Sequence, residues 1–413
     1  MIHRLSLADI DLTDLDNFAW GFPHELFAVH RRQAPVWWHA PTEHTPGGEG
    51  FWSVATHRET LEVLQDPTTY SSVTGGDRPY GGTSLQDVPH AGVAIHMMDD
   101  PRHAQFRKLI AAQFSPRAVA RLEPDLRRRC RAILSAVPDG VEIDFAEQVA
   151  AELPLQVICM LLGIPEEERH GLWDAVDSGL DIPAGDWPIP PTPARQPRLA
   201  RLHDYGVGLL ATKLAAPGDD VLSTVVHGTL TAGDPPTLSD AERYSFVRDL
   251  FGAGTETTRS AVGGGLYALL QHPAALDALR ADRSLLPSTV EEVLRWTTPS
   301  PSKRRTVTRP AQLGGHELSP GEKVLVWEGS ANRDEQVFAR PMELDIRRNP
   351  NPHLSLGFGV HFCVGAPLAR LEVRVMIDEL LATFRRIHLT RPVEWRRGSR
   401  HTGLRHLWVR MDR

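Results

Sequence analysis

Near the C-terminus the chain reads Leu356-Gly-Phe-Gly-Val-His-Phe-Cys-Val-Gly-Ala-Pro-Leu-Ala-Arg-Leu-Glu372. Gly357 and Gly359 permit a tight loop and a close approach of backbone to a flat ligand. The run after Cys363 has helical spacing to about Phe384. Cys363 therefore falls at a helix N-terminus, where free N–H groups and the helix dipole favour a thiolate. Taken alone, the loop leaves three bland readings of that thiol: a small buried apolar residue, a zinc ligand, or a nucleophile. Zinc spacing wants a second ligand pair, which this loop lacks. No histidine carries the local signature of a nucleophile's partner.

Composition narrows the setting. The chain has 413 residues, 41% apolar and 23% charged, which suits a globular protein able to enclose a bulky cofactor. A net charge of −7 argues against general nucleic-acid binding. Three cysteines, Cys130, Cys159 and Cys363, make no disulfide framework. The apolar runs fall short of a membrane span, and the acidic, mixed start from Met1 to Asp14 reads as neither signal peptide nor anchor. The sequence thus predicts a monomeric cytoplasmic protein without a membrane anchor.

The periodicity predicts a mainly α fold with a small β region, in a single catalytic domain over 1–413. The β-rich parts fall at 35–60, 300–330 and 385–410. Within them Phe51–Ala55 and Lys323–Trp327 read as strands. Helices are predicted over Pro101–Phe114, Arg117–Leu134, Phe145–Leu162 and Arg198–Leu214. Residues 72–96 are rich in Gly, Pro and Asp. Residues 181–197 hold too many prolines for a helix, and read equally as a linker or a loop over a pocket.

The longest predicted helix runs from Ser239 to His272, with Ser239 and Glu242 as a capping box. It would extend about 50 Å and is apolar on more than one face, so it should be a buried spine. Its middle reads Phe251-Gly-Ala-Gly-Thr-Glu-Thr-Thr258. Gly252 and Gly254 each cost about 1 kcal/mol relative to alanine. Thr257 and Thr258 can bond back to a carbonyl one turn earlier. Close helix packing explains the glycines. So does a flat ligand against the backbone, with a small molecule beside Thr257.

The cysteine loop resembles the haem-binding loop of the cytochrome P-450 superfamily, FGxGxHxCxG. Gly357, Gly359, His361, Cys363 and Gly365 match, and Leu356 replaces the usual Phe. The resemblance implies that Cys363 is the thiolate ligand of haem b iron, with Phe358 and Gly359 beside the cofactor. Ala253-Gly-Thr-Glu-Thr-Thr258 is similar to the family's oxygen-activation motif. There Ala253 would face the haem, Thr257 would orient dioxygen, and Glu256 would relay protons from solvent. Glu292-x-x-Arg295 matches the structural ExxR pair. Glu343, within Pro341–Asp345, stands where its usual third partner would be an arginine, so an altered network is expected. Met98–Arg107 resembles DPPxHxxxR, which makes His103 and Arg107 partners of the haem propionates, with Arg305 and His361 adding to them. Several cations near two carboxylates are what the edge of a buried dianion requires.

The resemblance, which spans about Phe22 to Trp408, implies a soluble bacterial haem-thiolate monooxygenase. It would use dioxygen to hydroxylate a hydrophobic natural product, terpenoid or lipid- or steroid-like molecule, with a role in secondary metabolism. The same residues would serve oxidative coupling, ring closure or desaturation. A non-catalytic haem or gas-binding protein would not need the Glu256–Thr257 pair. Electrons would come from a separate ferredoxin and ferredoxin reductase, docking at Arg102, Lys108, Arg117, Arg370 and Arg374. The expected pocket wall is mostly apolar or small. It takes residues 72–98, the 181–197 loop, Val247, Leu250 to Ala253, Thr257, Pro299 to Lys303 with Ser300, and His401 to Leu404 with Thr402.

Overall fold

The spine helix runs Asp240–Gln271 in the computed structural model, which describes residues 6–7, 10–169, 196–231 and 236–413. Its capping box is present. The Glu242 N–H donates to the Ser239 hydroxyl at 3.3 Å, and the Ser239 N–H donates to Glu242 Oε2 at 2.7 Å. Helices Glu152–Leu162, Leu286–Thr297 and Ala366–Thr383 pack around it. Its glycines set how closely two of them approach. A Cβ at Gly254 would lie 2.2 Å from Ile158, at Gly264 2.8 Å from Thr297, and at Gly265 2.7 Å from Val293. At Gly252 it would meet nothing within 4 Å. Gly254 thus serves helix packing, whereas Gly252 faces open space.

The main sheet orders its strands Val36–His39, Phe51–Val54, Lys323–Trp327, Ser302–Val307 and Tyr70–Ser71. Only Phe51–Val54 and Lys323–Trp327 run parallel, with Trp52 opposite Val324. Lys323–Trp327 is paired on both sides and wholly buried, which its Val-Leu-Val run allows. A second sheet joins Arg386–Leu389 to Trp408–Asp412 and then to Glu142–Asp144, a strand outside the expected β regions.

Prolines correct several predicted helices. Arg117–Leu134 is two helices, Pro116–Ala120 and Glu123–Ala136, because Pro124 has no N–H to continue the first and suits the opening turn of the second. Phe145–Leu162 becomes a π-helical turn, Ala146–Ala150, followed by Glu152–Leu162. Pro154 cannot donate to Ala150, and the wider turn absorbs the missing bond. Pro101–Phe114 shortens to Arg102–Ile110, and Arg198–Leu214 extends to Gln196–Ala215. The 181–197 loop lies outside the described residues as far as 195. Among the described residues no helix is long and apolar enough to cross a membrane.

Candidate active site

The cysteine loop folds as its glycines require. Gly357 and Gly359 adopt φ of 73° and 70°. The Cys363 N–H donates to Leu356 O at 2.8 Å, and the Phe362 N–H to Gly359 O at 3.0 Å. Gly365 then caps helix Ala366–Thr383. A Cβ at Gly359 would stand 2.4 Å from the Leu64 carbonyl oxygen. The close approach at Gly359 is therefore to helix His57–Gln65, not only to a ligand. Cys363 is only partly buried, and Phe358 is 38% exposed. Burial pushes the Cys363 thiol up, while the Gly365 N–H and the cations Lys303, Arg107 and Arg370 pull it down.

Two guanidinium and two imidazole side chains gather near this loop. The His361 and His103 rings lie 4.2 Å apart, centroid to centroid. His361 Nε2 is 3.1 Å from the Ser72 hydroxyl, and the Ser72 N–H donates to Asp99 at 2.9 Å. His103 Nδ1 lies 3.3 Å from Asp100. Arg305 is buried and donates to the Arg304 carbonyl at 2.9 Å. The Arg107 guanidinium hydrogen-bonds to no described residue, and burial lowers its pKa. Burial holds Arg305 down at about 10. Burial, with Arg305 and His103 nearby, holds His361 down at about 2. No carboxylate hydrogen-bonds to either guanidinium among the described residues, so this enclosed set calls for an anion. A planar ligand with two carboxylates on one edge and a thiolate-seeking metal fits it, and haem b is such a ligand.

On the spine helix, Ala253 is exposed and Thr257 half-buried. The Thr257 hydroxyl donates to Ala253 O at 2.7 Å, and the Thr255 hydroxyl to Phe251 O at 2.7 Å. The expected back-bonding occurs at Thr257, but the second such bond is made by Thr255 and not by Thr258. Glu256 is 2% exposed and lies between two arginines. Arg259 Nη1 is 3.4 Å from Oε2, Arg396 Nε is 3.2 Å from Oε1, and the Ser260 hydroxyl donates to Oε1 at 3.3 Å. Arg259 also donates to the carbonyls of Ala146 and Arg405 at 3.1 and 3.2 Å. Both arginines escaped the sequence reading. Arg259 was within reach as the next turn of the motif, but nothing local points from Arg396 to Glu256.

The ExxR pair is fully buried, and its third partner is present after all. Glu292 accepts from Arg295 at 2.7 and 2.8 Å and from Arg348 Nε at 3.1 Å. The cation comes from Arg348 and not from position 343. Glu343 contributes its backbone carbonyl, which accepts from Arg295 at 3.2 Å and from Arg348 at 3.3 Å. The spacing Asp345-x-x-Arg348 carries the signal that the alignment on Pro341–Asp345 passed over.

The structure places the expected pocket and docking residues as follows. Val247 is buried, and its Cγ1 lies 4.0 Å from where Gly206 of helix Gln196–Ala215 would carry a Cβ, so it packs under that helix. Leu250 is half-buried a turn before Gly254. Thr402 is buried and tied down, its N–H donating to Pro299 O at 2.9 Å, which sets it beside Ser300. Of the five docking cations, Arg102 pairs with Glu242, Arg370 with Glu291 and Arg374 with Glu123. Lys108 and Arg117 remain exposed.

A thiol at a helix start, a spine helix carrying the glycine and threonine motif, and a set of guanidinium and imidazole groups without a carboxylate partner for either guanidinium together define a haem-thiolate enzyme. A family model for Cytochrome P450 matches residues 216–394. Cytochrome P450 126 of Mycobacterium tuberculosis is 56% identical over 411 residues, covering 100% of this chain and 99% of the relative. A methyl-branched lipid omega-hydroxylase of the same organism is 35% identical, covering 91% and 89%. A steroid C26-monooxygenase of Rhodococcus jostii is 34% identical, covering 90% and 78%. A solved Mycobacterium marinum cytochrome P450, in complex with pseudoionone, superposes with a TM-score of 0.87 at 33% identity, covering 97% and 98%. The chain belongs to the cytochrome P450 family. It is an oxygen-using oxidoreductase whose cofactor is haem b.

Proposed function

We propose that this chain, as one catalytic domain over 1–413, hydroxylates a hydrophobic lipid- or steroid-like molecule with Cys363 as the haem thiolate ligand. The observation that carries the reading is the Arg107 guanidinium, which hydrogen-bonds to no described residue. Arg107, Arg305, His103 and His361 take the two propionates. Phe358 and Ala253 would lie against the ring, and Gly359 lets the loop close on helix His57–Gln65. Bound haem b supplies reductive activation of dioxygen, which thiolate ligation favours. The balance is one C–H substrate, one dioxygen, two electrons and two protons, giving one alcohol and one water.

The chain's own part is positioning and proton delivery. The Ala253 carbonyl fixes the Thr257 rotamer and leaves the hydroxyl oxygen free to accept a proton-bearing partner. Glu256 lies in the interior between Arg259 and Arg396, next to Thr257 in sequence. It holds the proton on its way to Thr257. Glu292, Arg295 and Arg348 lock the scaffold behind the cysteine loop. The names of two relatives, a lipid hydroxylase and a steroid monooxygenase, support the substrate class. Electrons come from a separate ferredoxin and its reductase, with Lys108 and Arg117 as the exposed docking cations.

The test is optical. Reduced, carbon monoxide-bound protein should show the red-shifted Soret band of thiolate ligation, and Cys363→Ser should abolish it. Folded, haem-loaded protein without that band would overturn the reading.

A further inference from the structure

A second group of metal-ligating side chains lies away from the cysteine loop. Asp144 ends strand Glu142–Asp144, Glu147 stands in the π-helical turn Ala146–Ala150 just after it, and His406 ends strand Leu404–His406. One ligand atom from each of the three lies within 4.8 Å of the other two. The sheet brings them together, since Trp408 pairs with Asp144 and holds His406 two residues from that rung.

Two of the three side chains are set in place. Asp144 is buried, and its Oδ1 accepts the Ala146 N–H at 3.1 Å and the Leu407 N–H at 3.0 Å. Those bonds fix the carboxylate and turn Oδ2 toward His406, 2.6 Å from Nδ1. The His406 ring stacks on Trp408 at 6.1 Å between centroids. Arg259 fastens the backbone on both sides of the cluster by donating to the carbonyls of Ala146 and Arg405. Glu147 is exposed, so its side chain can swing the remaining distance.

The charges there are unbalanced. Neither Asp144 nor Glu147 pairs with a lysine or an arginine among the described residues, and one imidazole answers one carboxylate at most. A buried carboxylate beside a second anion is costly unless a further positive charge joins them. Zinc bonds to imidazole nitrogen and carboxylate oxygen run about 2.0–2.2 Å, which spaces neighbouring ligand atoms roughly 3–3.5 Å apart. His406 Nδ1 and Asp144 Oδ2 need part by less than that spacing's own width to admit an ion where they now share a proton. One imidazole with two carboxylates suits a borderline transition metal.

We propose that Asp144, Glu147 and His406 bind a zinc-type divalent ion, with water completing its coordination. The ion clasps the strand Glu142–Asp144, the π-helical turn and the C-terminal strands, and Arg259 joins that clasp to the spine helix.

Calorimetric titration of zinc chloride into haem-loaded protein, first freed of loose metal by a chelator, tests this. One equivalent should bind, and zinc should raise the thermal midpoint because it binds the folded chain. Glu147→Gln, a change at an exposed side chain, should fold normally and weaken the site about 10-fold or more, and His406→Gln should weaken it at least as much. Magnesium chloride should not compete, because imidazole selects against it. The Soret band should stay where it is, since the ion sits away from the cysteine loop. Equal zinc uptake by the unaltered protein and both variants would show scattered surface histidines at work and overturn the proposal. No binding at all would overturn it too. So would a site that Glu147→Gln leaves intact, or a Soret shift that places the ion beside Cys363.

Discussion

Arg396 reaches Glu256 from far along the chain, its Nε 3.2 Å from Oε1, with both side chains almost wholly buried. The pair links the C-terminal region to the oxygen side of the spine helix. Arg259 holds the other oxygen of the same carboxylate, so one arginine can be removed without leaving the charge alone. Arg396→Gln should therefore keep the thiolate Soret band. Product formed per NADPH should drop about 10-fold and the solvent isotope effect should rise, because a proton-transfer step contributes at least that much. Unchanged coupling would show that Glu256 acts without its clamp.

Arg348 should matter to folding rather than to chemistry. It supplies the second cation to a carboxylate with no exposed surface. Breaking a buried ion pair by removing one partner costs about 3 kcal/mol or more. Arg348→Ala should lower the urea midpoint and the yield of haem-loaded protein, while whatever folds keeps a normal Soret band. A midpoint equal to that of the unaltered chain would mean that Arg295 suffices.

Gly359 should tolerate nothing larger. Its φ of 70° is a left-handed conformation that costs an alanine roughly 1–2 kcal/mol. The added Cβ would also press on a backbone carbonyl, which cannot swing aside as a side chain would. Gly359→Ala should weaken haem retention in a transfer assay to apomyoglobin. Gly252→Ala, with open space around it, should fold normally.

Acid should destabilise the fold through His30. Burial holds this imidazole down at about 4, and its nitrogens lie 2.7 Å from Ala34 O and from the Ser53 hydroxyl. An unfolded histidine titrates near 6.5. Between about pH 6.5 and 4 the unfolded chain binds the extra proton. The stabilising effect is thus complete above 6.5 and lost as pH falls, at about 1.4 kcal/mol per unit. Urea titrations at pH 7, 6 and 5 should show this slope, and His30→Gln should flatten it. Equal slopes in the two proteins would mean that His30 takes up its proton in place.

The legible part of the molecule is the part whose chemistry is local. Gly357, Gly359 and Cys363 lie within seven positions, and the capping box at Ser239 and Glu242 within four, so reading them needs no tertiary contact. The break at Pro124 and the π turn before Pro154 were also written locally, but helical periodicity ran across them and hid the prolines. What stayed illegible is long-range. Arg396 meets Glu256 because the last strands fold back over the spine helix. Arg348 shows the intermediate case: its spacing was visible, but which residue faced Glu292 depended on how the segment 341–351 turns.

The salt bridge of Arg102 with Glu242 joins two ends that the chain sets far apart. Arg102 opens the helix that carries His103 and Arg107, and Glu242 closes the cap on the spine helix. The latch makes the two helices one mechanical unit. When haem leaves, the repulsion between the Arg107 and Arg305 guanidinium groups is no longer balanced, and strain on the first helix pulls at the cap of the second. Loss of the cofactor and fraying of the oxygen-side helix should then be a single event, visible as faster amide exchange at 240–245 in the apoprotein. A cell could recognise the empty protein by that loosened start alone.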